Sequence, residues 1–255
     1  MNFSRKWIVS FGMLAALSPV TSFARGAEIV EIPVEAAFAP AQGFDDNDNI
    51  QIVLHGWLPN ACYTVGDYKI ETDSTAKTMK IHQFAMRKTD AMCAEETSMP
   101  EHLKMAIPFT TEISLGQLSA GDYKFGYQEP SGDFGFRDIN VGVSPVPSID
   151  AMPYAAVTNA VIPDVVSALD DLVVTVSGVL NSSCTELDDK VEFRKLKDVF
   201  IVLPVIKVKP GVLCAQVIRP FEKTLNLGKT APGHYLIHVR SMAGKAVNRV
   251  IEVWR

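Results

Sequence analysis

Few side chains in this sequence are spaced for chemistry. The four cysteines, Cys62, Cys93, Cys184 and Cys214, are the most reactive, and none belongs to a C-x-x-C pair. The densest run of oxygen ligands is Phe44-Asp45-Asp46-Asn47-Asp48-Asn49. Asp45, Asp46 and Asp48 are calcium candidates there, because a hard cation takes carboxylate and carbonyl oxygens. The run lacks the Gly and distal Glu of an EF-hand loop, however, and Asp and Asn also favour turns for backbone reasons. His234 and His238 share a strand face, but at ~3.3 Å per residue they stand about 13 Å apart. One ion with ligands near ~2 Å cannot join them. They read as surface strand residues, each still free to meet a histidine elsewhere. There is no G-x-S-x-G elbow, no H-E-x-x-H and no phosphate loop. No catalytic residue and no cofactor is expected.

The N-terminus places these residues in a compartment. Arg5 and Lys6 precede an apolar stretch from Trp7 to Leu17, and Ser22-Phe23-Ala24 provides small residues for a signal peptidase. Residues 1–24 are therefore expected to be a cleaved signal peptide. The stretch is shorter than the ~20 apolar residues a membrane span needs, and it holds no cysteine for a lipid anchor. A periplasmic or secreted protein follows. In that setting an even number of cysteines reads as disulfides rather than metal or redox chemistry. Without the first 24 residues the net charge is −7. Nucleic acid is not expected as a partner, since that calls for a strongly basic face.

Self-similarity organises the rest. Asp48-Asn49-Ile50-Gln51-Ile52-Val53-Leu54-His55-Gly56 aligns with Asp170-Asp171-Leu172-Val173-Val174-Thr175-Val176-Ser177-Gly178. Six residues after each Gly comes a Cys, and the next Cys follows at 31 and 30 residues. The spacing diverges once, by nine residues, within Glu95–Met105. Pro108-Phe109 then matches Pro220-Phe221, Leu115-Gly116 matches Leu227-Gly228, and Gly121-Asp122-Tyr123 matches Gly233-His234-Tyr235. One duplicated unit explains this. It assigns the disulfides within copies, Cys62–Cys93 and Cys184–Cys214, each worth roughly 3–4 kcal/mol in the chain-entropy model.

Alternation with period two, as in Ile50, Ile52 and Leu54 or Tyr123, Phe125 and Tyr127, marks half-buried strands. Long helical periodicity is absent. Short strands in a unit of about 100 residues argue for a β-sandwich. The Leu118-Ser119-Ala120-Gly121-Asp122-Tyr123 stretch resembles the corner before strand F of immunoglobulin and fibronectin type III domains, where a Tyr hydroxyl bonds back to the backbone. That resemblance implies an all-β chain of two tandem immunoglobulin/fibronectin-III-like β-sandwich domains, each with one intradomain disulfide. The expected boundaries are residues 28–143 and 150–255. Residues 144–149, with Pro145 and Pro147, form a short semi-rigid spacer. Residues 25–149 carry a net −9 and residues 150–255 a net +2.

Copy one has two features of its own, Trp57 and the Glu95–Met105 insertion. Loops that vary on a fixed scaffold often bind partners. Trp57, Met99 and His102 are the binding candidates, against the plainer reading of a tolerated insertion. Deleting Glu96–Lys104 is expected to leave the melting temperature nearly unchanged. The leading function is a non-catalytic binding or structural protein of the cell envelope, whose partner is a protein or cell-surface component. The two-sandwich layout and mature length are also similar to periplasmic pilus-assembly chaperones. A protease inhibitor, presenting a stapled loop, is a third class, and an enzyme with a site assembled between the domains is a fourth.

Overall fold

The computed structural model describes residues 27–40, 44–93, 99–149 and 153–255. The expected signal peptide and residues Glu95–Ser98 of the insertion lie outside the described residues. Among the described residues the chain is all-β, with one 3-10 turn at Glu101–Leu103. The N-terminal half contributes β1 (Ala27–Glu31), β2 (Ala36–Phe38), β3 (Phe44–Asp45), β4 (Ile50–Leu58), β5 (Tyr63–Asp73), β6 (Thr78–Lys88), β7 (Ile107–Gly116), β8 (Gly121–Gln128) and β9 (Phe134–Gly142). The C-terminal half contributes β10 (Ala156–Val161), β11 (Val165–Ser167), β12 (Val173–Leu180), β13 (Thr185–Leu187), β14 (Glu192–Leu196), β15 (Val199–Leu203), β16 (Ile206–Val208), β17 (Arg219–Asn226), β18 (Gly233–Ser241) and β19 (Lys245–Trp254).

The two halves repeat one strand order. A three-stranded sheet β2-β4-β7 corresponds to β10-β12-β17. A larger sheet β3-β9-β8-β6-β5 corresponds to β11-β19-β18-β15-β14, and only the first copy adds β1 beside β6. The hairpin β5–β6 bulges between Val65 and Tyr68. Its counterpart is split into two shorter pairs, β14–β15 and β13–β16, with Pro204 between β15 and β16. Parallel pairs recur as well: β3 with β9 and β6 with β8, then β11 with β19 and β15 with β18. Immunoglobulin and fibronectin sheets are antiparallel, so the strand directions depart from the family that the corner motif resembles.

The repeated landmarks have physical causes. Gly56 faces Phe109 and Gly178 faces Phe221 across the strand pairs. A Cβ at Gly56 would come within 2.8 Å of the Phe109 ring, and one at Gly178 within 2.9 Å of the Phe221 ring. Each ring covers a bare strand glycine, a pairing that restores the packing a glycine lacks. Gly116 and Gly228 turn the chain with φ of 70° and 80°, a region glycine enters at little cost. At the two corners, the Tyr123 hydroxyl donates to the Ser119 carbonyl and the Tyr235 hydroxyl to the Ala231 carbonyl, both at 2.9 Å. Cys62 is bonded to Cys93 and Cys184 to Cys214, with Cα atoms 5.7 and 5.4 Å apart.

Each half closes its own core. Ile50, Ile52 and Leu54 pack on Phe125 and Ile139 in the first, and Leu172, Val174 and Val176 on Phe200 and Ile237 in the second. A third cluster joins the halves: Phe38 and Val53 meet Val199, Ile201, Leu203 and Leu236. Because of this seam, β4 and β18 are covered on both faces, where alternation alone predicts one buried face. His238 is a correction for the same reason. It is buried, 2 % exposed, rather than a surface strand residue. The segment 144–149 is tied to the first half: Asp46 accepts the Ser144 N–H at 2.9 Å, and the Asn47 amide donates to the carbonyls of Val146 and Ser148.

Candidate functional site

The seam leaves a cleft of about 290 Å³ at one end. From the first half, β4 supplies His55 and Trp57 and β7 supplies Pro108, Phe109 and Thr110. The second half adds Asp164, Val165 from β11, His234 from β18, and Val250, Ile251 and Glu252 from β19. Alternation puts His55 and Trp57 on one face of β4, the face turned toward the second half. The imidazoles of His55 and His234 sit 5.2 Å apart between ring centroids, and the Trp57 indole lies edge-on to His55 at 6.1 Å. Trp57 stays 40 % exposed. It is an aromatic platform at the rim rather than a core plug.

Electrostatics keep the inner part of the cleft neutral at His55. Burial, and then the His234 ring, push the His55 imidazole below its ordinary range, while the Phe109 carbonyl, Glu35 and Glu252 act the other way. Its Nδ1 is buried without a hydrogen-bond partner among the described residues. The Glu252 N–H donates to the Asp164 carbonyl at 3.1 Å, and among the described residues no side-chain hydrogen bond joins Thr110, either histidine, Asp164 or Glu252 to one another. The arrangement offers an apolar wall, an aromatic edge and a few polar groups, which is how pockets bind and orient a ligand.

The residues singled out from the sequence fall in different places. Trp57 lines the cleft, and His234 finds its histidine neighbour in His55. Met99 is a correction. It is only 5 % exposed and packs with Leu103 against the Cys62–Cys93 bridge, so it is not a docking side chain. His102 is exposed on the 3-10 turn and does not line the cleft. The acidic run forms a turn and a tie across the seam. Asp48 accepts the Asp45 N–H at 2.9 Å and pairs with Arg240 at 3.3 Å, while Asp46 holds Ser144. Burial, followed by Asp48, raises the Asp45 carboxyl above its usual range, with Arg240 opposing. Among the described residues no three acidic, His or Cys side chains are grouped to hold a metal ion.

Sequence reasoning missed the residues the second half brings to the cleft, Asp164 and Glu252. One signal pointed toward a covered outer face. Val199-Phe200-Ile201-Val202-Leu203 is apolar at every position, as in strands buried on both sides.

Residues 174–253 match the family model of the ORF11 beta-sandwich domain. The match runs from β12 into β19 and makes this part of the chain a β-sandwich. Neither a curated protein nor a solved structure matches the chain. No helix among the described residues is long and apolar enough to cross a membrane.

Proposed function

We propose that this chain is an exported, non-catalytic binding protein of the cell envelope. In this reading it is built from two tandem immunoglobulin-like sandwiches and takes a protein or cell-surface component at the cleft between them. The observation that carries the reading is Trp57, exposed at the rim of a cleft to which both halves contribute. Aromatic side chains in such positions provide a disproportionate share of binding energy. Two disulfides fit an oxidising compartment. The signal-like N-terminus supports export.

The pilus-chaperone alternative requires an edge strand open to an incoming subunit. β5 is a sheet edge, but it carries Asp67, Lys69, Glu71 and Asp73 and a bulge between Val65 and Tyr68. Charges and bulges guard an edge against added strands. The deciding experiment compares envelope components retained by the wild type and by Trp57→Ala. Components lost with the indole support the cleft reading, and identical sets overturn it. Hydrolytic turnover that disappears in His55→Ala would overturn the non-catalytic part.

A further inference from the structure

The two copies treat their disulfides differently. In the first, Met99 and Leu103 cover the bridge and the Leu103 carbonyl takes the Ala61 N–H at 2.9 Å. The second copy is shorter by nine residues here and has no such cover. Cys214 lies exposed among Val212, Leu213, Val217 and Ile218, and Leu213 is fully exposed.

This apolar loop is firmly mounted. Lys209 donates its N–H to the Cys184 carbonyl at 2.9 Å, and Cys214 is bonded to Cys184. Ala215 is held twice by Ser183: its N–H reaches the Ser183 hydroxyl and its carbonyl takes the Ser183 N–H, both at 3.0 Å. The Arg219 guanidinium donates to the carbonyls of Ser182 and Thr185. Between these ties the backbone N–H groups of Val212, Leu213, Gln216, Val217 and Ile218 have no partner among the described residues.

Exposed apolar side chains on a stiff backbone with free amides fit one kind of surface. A bilayer interior cannot satisfy those amides, each of which costs several kcal/mol in hydrocarbon. A protein cleft can pair with them in strand fashion and receive the side chains in pockets. Stiff mounting lowers the ordering cost of docking. We infer that the loop Val212–Ile218 enters the substrate cleft of an endopeptidase, with Leu213 in an apolar specificity pocket, and blocks it. Hydrolysis at Leu213–Cys214 would add one water across the amide, leaving a carboxylate on Leu213 and an amine on Cys214. Cys214 would remain tied to Cys184, and the Leu213 side would remain tied through Lys209. None of these residues lines the Trp57 cleft, so the two proposals fail or stand separately.

The test is titration of chymotrypsin and subtilisin with the disulfide-bonded full chain. Inhibition should saturate near equimolar protein, survive Leu213→Phe, and weaken by about 30-fold in Leu213→Asp, the scale of a hot-spot loss. Leu213 is fully exposed, so the Asp variant should keep the wild-type circular dichroism and melting temperature. Several outcomes would overturn the inference: no inhibition of either enzyme at hundredfold excess, inhibition unchanged in Leu213→Asp, or rapid cleavage at Leu213–Cys214 with full recovery of enzyme activity. Sedimentation with phosphatidylglycerol vesicles, or dimerisation, that Leu213→Asp abolishes would assign the loop to a membrane or to a second copy and overturn it equally.

Discussion

His238 shows how one buried ring ties stability to pH. Its Nδ1 lies 2.8 Å from the Asn248 carboxamide oxygen, whose amide in turn donates to Gln51. The proton therefore belongs on Nδ1, and Nε2 is buried without a partner among the described residues. Burial, then the Arg240 charge, push the imidazole down to about 4, with the Asn248 hydrogen bond opposing. An unfolded histidine titrates near ~6.5. Below that pH the unfolded chain binds a proton that the folded chain refuses until about 4. This contribution to stability is thus fully present above ~6.5, falls as pH drops, and levels off once the folded ring titrates. Its ceiling is roughly 3 kcal/mol. Urea unfolding measured from pH 7 to pH 4 should show a steeper decline in the wild type than in His238→Gln. Equal slopes would mean that the ring is not held neutral by the fold.

Among the elements, the copy-one insertion changes meaning once its packing is seen. Its charges and variable length suggest a surface loop, and deletion then looks harmless. Met99 and Leu103 instead cap the Cys62–Cys93 bridge, and Leu103 is hydrogen-bonded to Ala61. Removing Glu96–Lys104 is now expected to destabilise the first half rather than leave its melting temperature unchanged. The narrower test is Met99→Ala, which should cost about 2 kcal/mol, the low end for a buried methionine, because the cluster is small. Chemical denaturation would reveal it. A change within a few tenths of a kcal/mol would return the segment to the role of a tolerated loop.

For the whole molecule, the seam decides whether the two halves act as one body. Its apolar centre joins Phe38 and Val53 to Ile201 and Leu236, and its edge holds the Arg240–Asp48 pair, both side chains 9 % exposed. The guanidinium also sits over the Phe44 ring, 5.1 Å from its centroid. A buried pair adds little net stability, but losing one partner strands a charge. Arg240→Ala should therefore cost about 3 kcal/mol, and Arg240→Leu combined with Asp48→Leu should recover most of the loss. Calorimetry of Arg240→Ala should also separate the unfolding of the two halves. A variant as stable as the wild type would show that water already reaches the pair.

By itself the sequence determined what depends on local pattern and on repetition. Period-two alternation specified strands because a side chain's face follows directly from its place in the strand. The paired Gly, Cys and Tyr landmarks disclosed a recurring unit, since each meets a demand the fold makes twice: a ring over Gly56 or Gly178, a corner at Tyr123 or Tyr235. Strand directions were not legible. Parallel and antiparallel neighbours use the same apolar residues, so β6 beside β8 carries no mark of its direction. Nor was the seam, because its contacts join residues such as Asp48 and Arg240, 192 positions apart, whose pairing no local period encodes. The cleft depended on that seam. His234 read as a surface strand residue, and His55 carried no mark of a partner, until the outer faces of two sheets were laid together. Only that packing, driven by burial of Val53 and Leu236, brings the rings within 5.2 Å beside Trp57.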